Sequence, residues 1–233
     1  MDNIHGTVII SEDQTNGRGR MGRKWISQHG GIYLSIILQP KIKAAQSSIL
    51  PLLSALSVCH VIEKMTNLNA KVKWPNDVVI NGRKVSGILL DISTEADKIN
   101  FVVIGIGVNA NIDIAKIASD VKTSSGFYGI TSLRNELHGK EIDKFNFIKL
   151  LLENIESYLI ELENEGAKQI IKNCKEISDT LGKVVIVKQS TEFLQGLAVD
   201  MDEEDGFLLI QTPSGCIYKV VSGDVRIKNI KKE

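Results

Sequence analysis

Between Gln14 and Ile62 the sequence contains no acidic residue, against six basic ones: Arg18, Arg20, Arg23, Lys24, Lys41 and Lys43. The absence is local, because the 233-residue chain carries 28 Lys plus Arg and 28 Asp plus Glu. A dedicated nucleic-acid binder would be basic overall, so a net charge of zero argues against one. One positive region in a neutral protein suits a small anionic ligand better than a long polyanion. Cysteine is scarce: Cys59, Cys174 and Cys216 are far apart, odd in number and in no metal-ligand spacing. This excludes a disulfide framework or a zinc site; the three read as reduced thiols with a packing role in a cytoplasmic protein. His5, His29, His60 and His138 form no metal spacing either, and His60 reads as structural. No apolar run approaches the ~18 residues of a membrane span. No signal peptide opens the chain, since Asp2, Asn3 and His5 stand where its apolar region would begin. Repeats and low-complexity tracts are lacking too. What remains is an ordinary soluble composition, 43% apolar and 24% charged. It suffices for one large domain, or a medium one with a small one attached.

The β-branched run 7–10 reads as a strand, and 32–38 as a second, mostly apolar one. Ser47 and Ser48 are candidate caps for a helix with Pro51 in its first turn. Leu50, Leu53, Leu56, Val58 and Val61 recur at roughly helical spacing, and Asn67 ends the run. Asn81-Gly82 joins 78–80 to 84–92, a strong hairpin signal that makes the two strands antiparallel. The run 101–108 is apolar apart from Gly105 and Gly107, as expected of a central strand. The segment 113–137 is polar and Gly/Ser-rich, with one short helix expected near its end. Asp143 caps an amphipathic helix whose stripe of Phe145, Ile148, Leu152, Ile155, Leu159 and Leu162 is expected to face the core, and Gly166 stops it. A weaker helix covers 167–177, and five short strands follow at 183–187, 192–199, 207–211, 216–220 and 225–227. The expected architecture is α+β: a mixed, largely antiparallel sheet flanked by helices over 1–180, then a small β-barrel over 181–233.

The segment 13–25 reads Asp-Gln-Thr-Asn-Gly-Arg-Gly-Arg-Met-Gly-Arg-Lys-Trp. Its three glycines let main-chain N–H groups approach an anion, and its four cations reinforce that. Gly17, Gly19 and Gly22 match the dinucleotide-binding expression G-x-G-x-x-G. That reading fails, because the fingerprint needs a helix straight after the loop and an acid about 20 residues on. Here Gly30-Gly31 interrupts any helix and the region has no acid. An Arg/Gly nucleic-acid segment would be longer and repetitive. The third reading is a phosphate-binding loop of an adenylate-forming enzyme, and the run Lys71-Val72-Lys73-Trp74-Pro75-Asn76-Asp77-Val78 is its partner. Lys73 offers a compact charge that can sit between a carboxylate and a phosphate, and Pro75 sets the direction of Asn76 and Asp77. The bland alternative is a solvated turn with an incidental tryptophan.

Five motifs occur in order: the glycine-arginine loop, Lys-Trp-Pro-Asn-Asp, Arg83-Lys84-Val85-Ser86-Gly87-Ile88-Leu89, Gly105-Ile106-Gly107-Val108-Asn109 and Thr131-Ser132-Leu133. Together they make the chain resemble the biotin protein ligases, also called biotin–[acetyl-CoA-carboxylase] ligases, from Gly6 to about Ile227. The resemblance implies that family's catalytic fold followed by a Src-homology-3-like barrel. It also implies a two-step, ATP-dependent reaction with Mg2+. Biotin and ATP give biotinyl-5′-AMP and pyrophosphate, and a lysine of a biotin carboxyl carrier domain then takes the biotinyl group. Carried over, Gln14, Arg18, Gly19, Arg20, Lys73 and Gly87 fall on the biotin side, with Lys73 and Arg18 catalytic. Arg18, Arg23, Trp25, Asn76, Lys84 and Asn109 fall on the ATP side. Arg18 and Arg23 would face the phosphates and Trp25 the adenine, and the loop is expected to be mobile when empty. Gly87, Gly105 and Gly107 would let ligand and backbone come close. For Asp77 a Mg2+ role and a turn-fixing role carry equal weight.

Two departures follow from the same resemblance. Bifunctional members carry an N-terminal winged helix-turn-helix that represses transcription; nothing precedes Met1, so the expectation is a monofunctional enzyme with no DNA partner. The family's catalytic domain also normally begins further upstream, with a strand and a Ser-Thr-Asn segment that contacts biotin. Without it, polar contacts to the ureido ring worth ~1–3 kcal/mol each would be lost. The rival readings are a lipoate protein ligase and a truncated, non-catalytic paralogue that binds biotin, a carrier domain or RNA. A membrane partner is not expected, and a homodimer is left open.

Overall fold

The computed structural model describes residues 4–116, 129–189 and 192–228. Part of the Gly/Ser-rich segment, 117–128, lies outside the described residues. Strand β1 (Thr7–Ser11) leads into the glycine-arginine loop, and β2 (Ile32–Leu38) follows it. Helix α1 (Ile49–Thr66) comes next, then β3 (Ala70–Lys73), β4 (Asp77–Ile80), β5 (Arg83–Glu95) and β6 (Lys98–Val108). These strands form a six-stranded sheet in the order β1-β2-β6-β5-β4-β3, every neighbouring pair antiparallel. The β4–β5 turn has Asn81 at φ 51° and Gly82 at φ 72°, the left-handed pair that matches the twist of a two-residue hairpin. Strand β6 is central, as expected, but only alternate residues face the core: Val102, Ile104, Ile106 and Val108 are buried. Its other face is free for a site.

Helix α1 is apolar nearly all round and is buried accordingly. It packs against β3, β4 and β5 and against α3 (Lys144–Glu165) and α4 (Lys168–Glu176). The segment Ala44–Thr66 is in fact long and apolar enough by composition to cross a membrane, with mean hydropathy 1.5 in its 18-residue window. This corrects the expectation that no such run exists. Its cause is the two-sided burial, 67% of that window being enclosed by the protein. The hydroxyls this places in the core are satisfied locally: Ser54 and Ser57 donate to the carbonyls of Leu50 and Leu53 at 2.7 and 2.8 Å.

A short helix, α2 (Leu133–Glu136), precedes α3. Asp143 caps α3 by accepting from the N–H groups of Phe145 and Asn146, and Gly166 ends it at φ 84°. The buried stripe is Phe147, Leu151, Ile155, Leu159 and Leu162, whereas Phe145 is 80% exposed. The expected stripe holds at Ile155, Leu159 and Leu162, but at its start Phe147 takes the place expected of Phe145, two residues earlier. At about 100° per residue, that shift turns a side chain to the opposite side of the helix. Cys59 and Cys174 are buried and Cys216 is exposed, so the packing role expected of all three holds for two. The half-buried His60 meets the Tyr158 hydroxyl at 3.1 Å through Nδ1, in keeping with a structural role.

The tail forms β7 (Val184–Gln189), β8 (Glu192–Met201), β9 (Leu208–Gln211), β10 (Ile217–Val220) and β11 (Asp224–Ile227). They make one antiparallel sheet in the order β10-β9-β8-β7-β11. Among the described residues β10 and β11 remain opposite edges, so the expected barrel is an open sheet. The chain crosses after β10 to pair β11 with β7 instead of closing on β10. This sheet shares one continuous core with α1. The junction is tied by polar contacts as well: Trp74 Nε1 donates to Gly206 O at 2.9 Å, Ser48 Oγ to Asp205 O at 2.9 Å, and Trp74 N to Thr180 Oγ1 at 3.0 Å. A side chain at Gly206 would be strained there, since its φ is 69° and a Cβ would lie 2.6 Å from Leu52 Cδ1.

Candidate active site

The face of the six-stranded sheet turned away from α1 floors a cavity of about 760 Å³. That volume falls within the range of ligand pockets. Side-chain alternation builds the floor: Ser35 of β2, Gly87, Leu89 and Asp91 of β5, and Val103, Gly105 and Gly107 of β6 face the cavity, between residues committed to the core. The glycine-arginine loop covers one side. It is a small hairpin, with antiparallel bridges between Gln14 and Ser27 and between Arg18 and Lys24. Gly17 makes this closure possible, because a Cβ would lie 2.5 Å from Trp25 O. The Gly19 N–H donates to Arg23 O at 2.7 Å and the Trp25 N–H to Gly17 O at 2.9 Å. Those two amides therefore close the loop and do not point to an anion.

Every site residue expected from sequence lines this one cavity. Gln14, Arg18, Gly19, Arg20, Arg23 and Trp25 come from the loop, and Lys73, Asn76 and Asp77 from the β3–β4 corner. Lys84 and Gly87 come from β5, and Asn109 from just past β6. Lys73 is 8% exposed, and burial, opposed by Asp77, holds its ammonium below the ordinary lysine pKa. Arg20 donates from Nη1 to Asn76 Oδ1 at 2.8 Å, and burial also lowers its pKa. Asn76 is itself fixed by donating to Ile88 O at 2.6 Å. Asn109 is 5% exposed and donates to Thr131 O at 3.0 Å. Gln14 Oε1 accepts from Ser27 Oγ at 2.7 Å. Asp77 lies 2.5 Å from Lys84 Nζ. Among the described residues no group of three His, Cys, Asp or Glu could hold a metal ion.

The Trp25 indole lies over two strand glycines. A Cβ on Gly107 would come within 2.6 Å of its Cε2 and Nε1, and one on Gly87 within 3.0 Å of its Cζ3. Lys84 Nζ stands 5.2 Å from the ring centroid, a cation–π contact. Gly87 and Gly107 thus seat the indole as well as leaving room for a ligand, while Gly105 stays open to the cavity. Trp25 Nε1 is buried and finds no hydrogen-bond partner in the protein.

Motif reasoning missed the C-terminal contribution. Gly223, Asp224 and Arg226 line the same cavity. Arg23 donates to both Asp224 oxygens, at 3.3 and 2.7 Å, and Arg20 Nη2 reaches Gly223 O at 3.5 Å. Burial pushes the Asp224 carboxyl up, but the Arg23 hydrogen bond and nearby cations, Lys73 among them, outweigh it and hold it below the ordinary range. No local pattern around Asp224 signals this; its partners lie about 200 residues upstream. These contacts also give the loop more to pack on than its composition suggests. Asp224→Asn should loosen it by the ~0.5–1 kcal/mol of a half-exposed ion pair, so the Gly19 and Trp25 amides should exchange roughly two- to fivefold faster. Unchanged protection at those amides would show that the ion pair does not hold the loop.

Residues 3–109 match the model of the biotin/lipoate A/B protein ligase family, and residues 180–227 that of the biotin protein ligase C-terminal domain. The bifunctional ligase/repressor BirA of Bacillus spizizenii is 34% identical over 95% of this chain and 66% of its own length. This chain thus spans just under two thirds of that relative. The biotin–[acetyl-CoA-carboxylase] ligase of Paracoccus denitrificans is 28% identical over 89% of this chain and 85% of its own. Among solved structures, the biotin protein ligase of Aquifex aeolicus in complex with biotin and ATP superposes with a TM-score of 0.81 at 31% identity, covering 96% of this chain and 89% of that one. With both domain models matched in order, and a relative of known structure alike over nearly its whole length, the chain belongs to the biotin protein ligase family.

Proposed function

We propose that this chain activates biotin with ATP and passes it to a lysine of a biotin carboxyl carrier domain. The observation that carries the reading is the convergence of all the candidate residues on one 760 Å³ cavity. In the first step a biotin carboxylate oxygen attacks the α-phosphorus of ATP, an O–P bond forms, and pyrophosphate leaves with the electrons of the broken bond. Two anions must approach each other, so cations have to stand between them. Lys73 is the compact charge at that point, with Arg18 beside it, and Arg23 and Lys84 face the phosphates. Trp25, Asn76 and Asn109 take the nucleotide side, while Gln14, Gly19, Arg20 and Gly87 take the biotin side. In the second step the lysine amine attacks the biotinyl carbonyl, a C–N bond forms, AMP leaves with the electrons of the C–O bond, and the amine loses a proton. Asp77 is engaged by Lys84. That pairing supports the turn-fixing role for Asp77, and Mg2+ would enter with the phosphates of ATP.

Residues 1–180 form the catalytic unit and 181–233 the accessory one, which lends Asp224 to the site. We place the protein in the cytoplasm, acting on biotin, ATP and a carrier domain as a monomer or a homodimer. The test is exchange of labelled pyrophosphate into ATP by the purified protein. Exchange is expected with biotin and not with lipoate. Exchange driven by lipoate would move the chain to the lipoate branch of the same family, and none with either acid would make it a binding module.

A further inference from the structure

The Thr131-Ser132-Leu133 motif takes no part in the chemistry proposed for the site, yet an enclosed acid stands beside it. Glu136, at the end of α2, keeps its side chain 5% exposed and does not line the main cavity. Its carboxylate accepts from three donors. Arg83 Nη2 donates to Oε1 at 2.7 Å, the Thr131 hydroxyl donates to the same oxygen, and Asn81 Nδ2 donates to Oε2 at 3.2 Å. Asn81 lies in the β4–β5 turn and Arg83 opens β5, so the carboxylate ties that hairpin to the segment that carries Thr131. Enclosing a carboxylate costs free energy unless it is well paired, and an apolar residue could fill the space without that cost. A buried network paired on both oxygens fixes the groups that it joins.

The group fixed here is the Thr131 main chain. Thr131 N donates to Lys84 O at 2.8 Å, and the Thr131 hydroxyl is held by Glu136. Thr131 O accepts from Asn109 Nδ2 at 3.0 Å. Unlike Glu136 and Thr131, Asn109 lines the main cavity. Its backbone is set by Val85 O, which accepts from its N–H at 2.8 Å, and by Leu133 N, which donates to its carbonyl at 2.9 Å. Only the side-chain amide is left to turn, and the Thr131 carbonyl commits its nitrogen, so Oδ1 is the end left for a ligand. We propose that Glu136 is a positioning residue for the nucleotide: through Thr131 it holds the Asn109 amide in the orientation that ATP meets. The inference rests on the ligase reading above, in which Asn109 takes the nucleotide side. Its effect belongs to one substrate, because neither Thr131 nor Asn109 stands on the biotin side.

Biotin-dependent pyrophosphate exchange by variants of the full chain tests this. Glu136→Ala should raise KM for ATP about tenfold, the order of one hydrogen bond lost to a ligand, and leave KM for biotin unchanged. Glu136→Gln can still accept from Thr131 and Arg83, so it should recover most of that loss. Thr131→Val removes only the hydroxyl link and leaves the Glu136–Arg83 ion pair in place. It should raise KM for ATP in the same selective way, and it carries the test if Glu136→Ala fails to fold. Adding Glu136→Ala to Asn109→Ala should cost little more than Asn109→Ala alone, the non-additivity expected of residues that act through one another. Equal rises in the two KM values, an unchanged KM for ATP, or full additivity with Asn109→Ala would overturn the positioning role. No exchange by the unaltered protein, with biotin or with lipoate, would overturn the ligase reading itself, and the role with it.

Discussion

Replacing Lys73 with alanine is expected to reduce biotin-dependent pyrophosphate exchange by a factor of about 10²–10³, the scale of losing one pre-organised donor to a developing charge. Lys73 is nearly buried, so its charge acts where solvent screens it little. The fold should survive the change. Each acid around it keeps a cation of its own: Asp77 has Lys84 at 2.5 Å, Asp179 has Lys183 at 2.6 Å, and Asp224 has Arg23 at 2.7 Å. These three carboxylates therefore keep a cation each after the change, whereas leaving one half of a buried ion pair alone is what makes its removal costly. Burial lowers the Lys73 pKa, so its charge is lost at a lower pH than that of an ordinary lysine. The exchange rate should therefore fall on the alkaline side before ordinary lysines titrate, with Lys73→Arg moving that limb upward. Near-normal exchange by Lys73→Ala in a protein with native circular dichroism would remove Lys73 from the chemistry.

Trp74→Ala is expected to lower the unfolding free energy by about 3–5 kcal/mol, the usual cost of deleting a buried large aromatic side chain. Trp74 is 3% exposed, in the core between α1 and the C-terminal sheet, and its Nε1 satisfies the Gly206 carbonyl at 2.9 Å. A loss of that size is a large part of the 5–15 kcal/mol typical of a folded domain. Trp74→Phe separates packing from the hydrogen bond. It keeps most of the buried area and leaves the Gly206 carbonyl unpaired, for about 1–3 kcal/mol. Urea unfolding followed by circular dichroism measures both. A shift below about 1 kcal/mol for Trp74→Ala, at unchanged dependence on urea, would mean that the junction does not rest on this residue.

The two experiments probe two roles of one short segment. Lys73 at the end of β3 lines the cavity and Trp74 is buried against α1 and the C-terminal sheet, so the Lys-Trp-Pro-Asn-Asp run joins the proposed site and the core through adjacent residues. Motif recognition from sequence weights the first role. The second depends on Gly206, 132 residues away, and on a tight contact that a side chain there would strain.

Sequence by itself determined the local structure wherever the chemistry is short-range. Asn81-Gly82 dictates its hairpin, Asp143 its cap and Gly166 its stop, because each acts on backbone groups within a few residues. It also picked out side chains that the fold brings to the lining of one cavity, since the motifs name residue types that anion chemistry needs. Tertiary structure decided the rest. The α3 stripe matches its expected residues at Ile155, Leu159 and Leu162, while its first turns bury Phe147 and Leu151 where Phe145, Ile148 and Leu152 were expected, a choice set by which face meets α1. The membrane-length apolar run of α1 is explained only by its enclosure. The C-terminal strands form an open sheet because β11 pairs with β7. Two of the loop amides close the loop on itself, and Asp224 joins the site from the far end of the chain. Hydrogen bonding within a turn is decided by neighbours in sequence. Packing and ion pairing are decided by neighbours in space, and those exist only once the chain has folded.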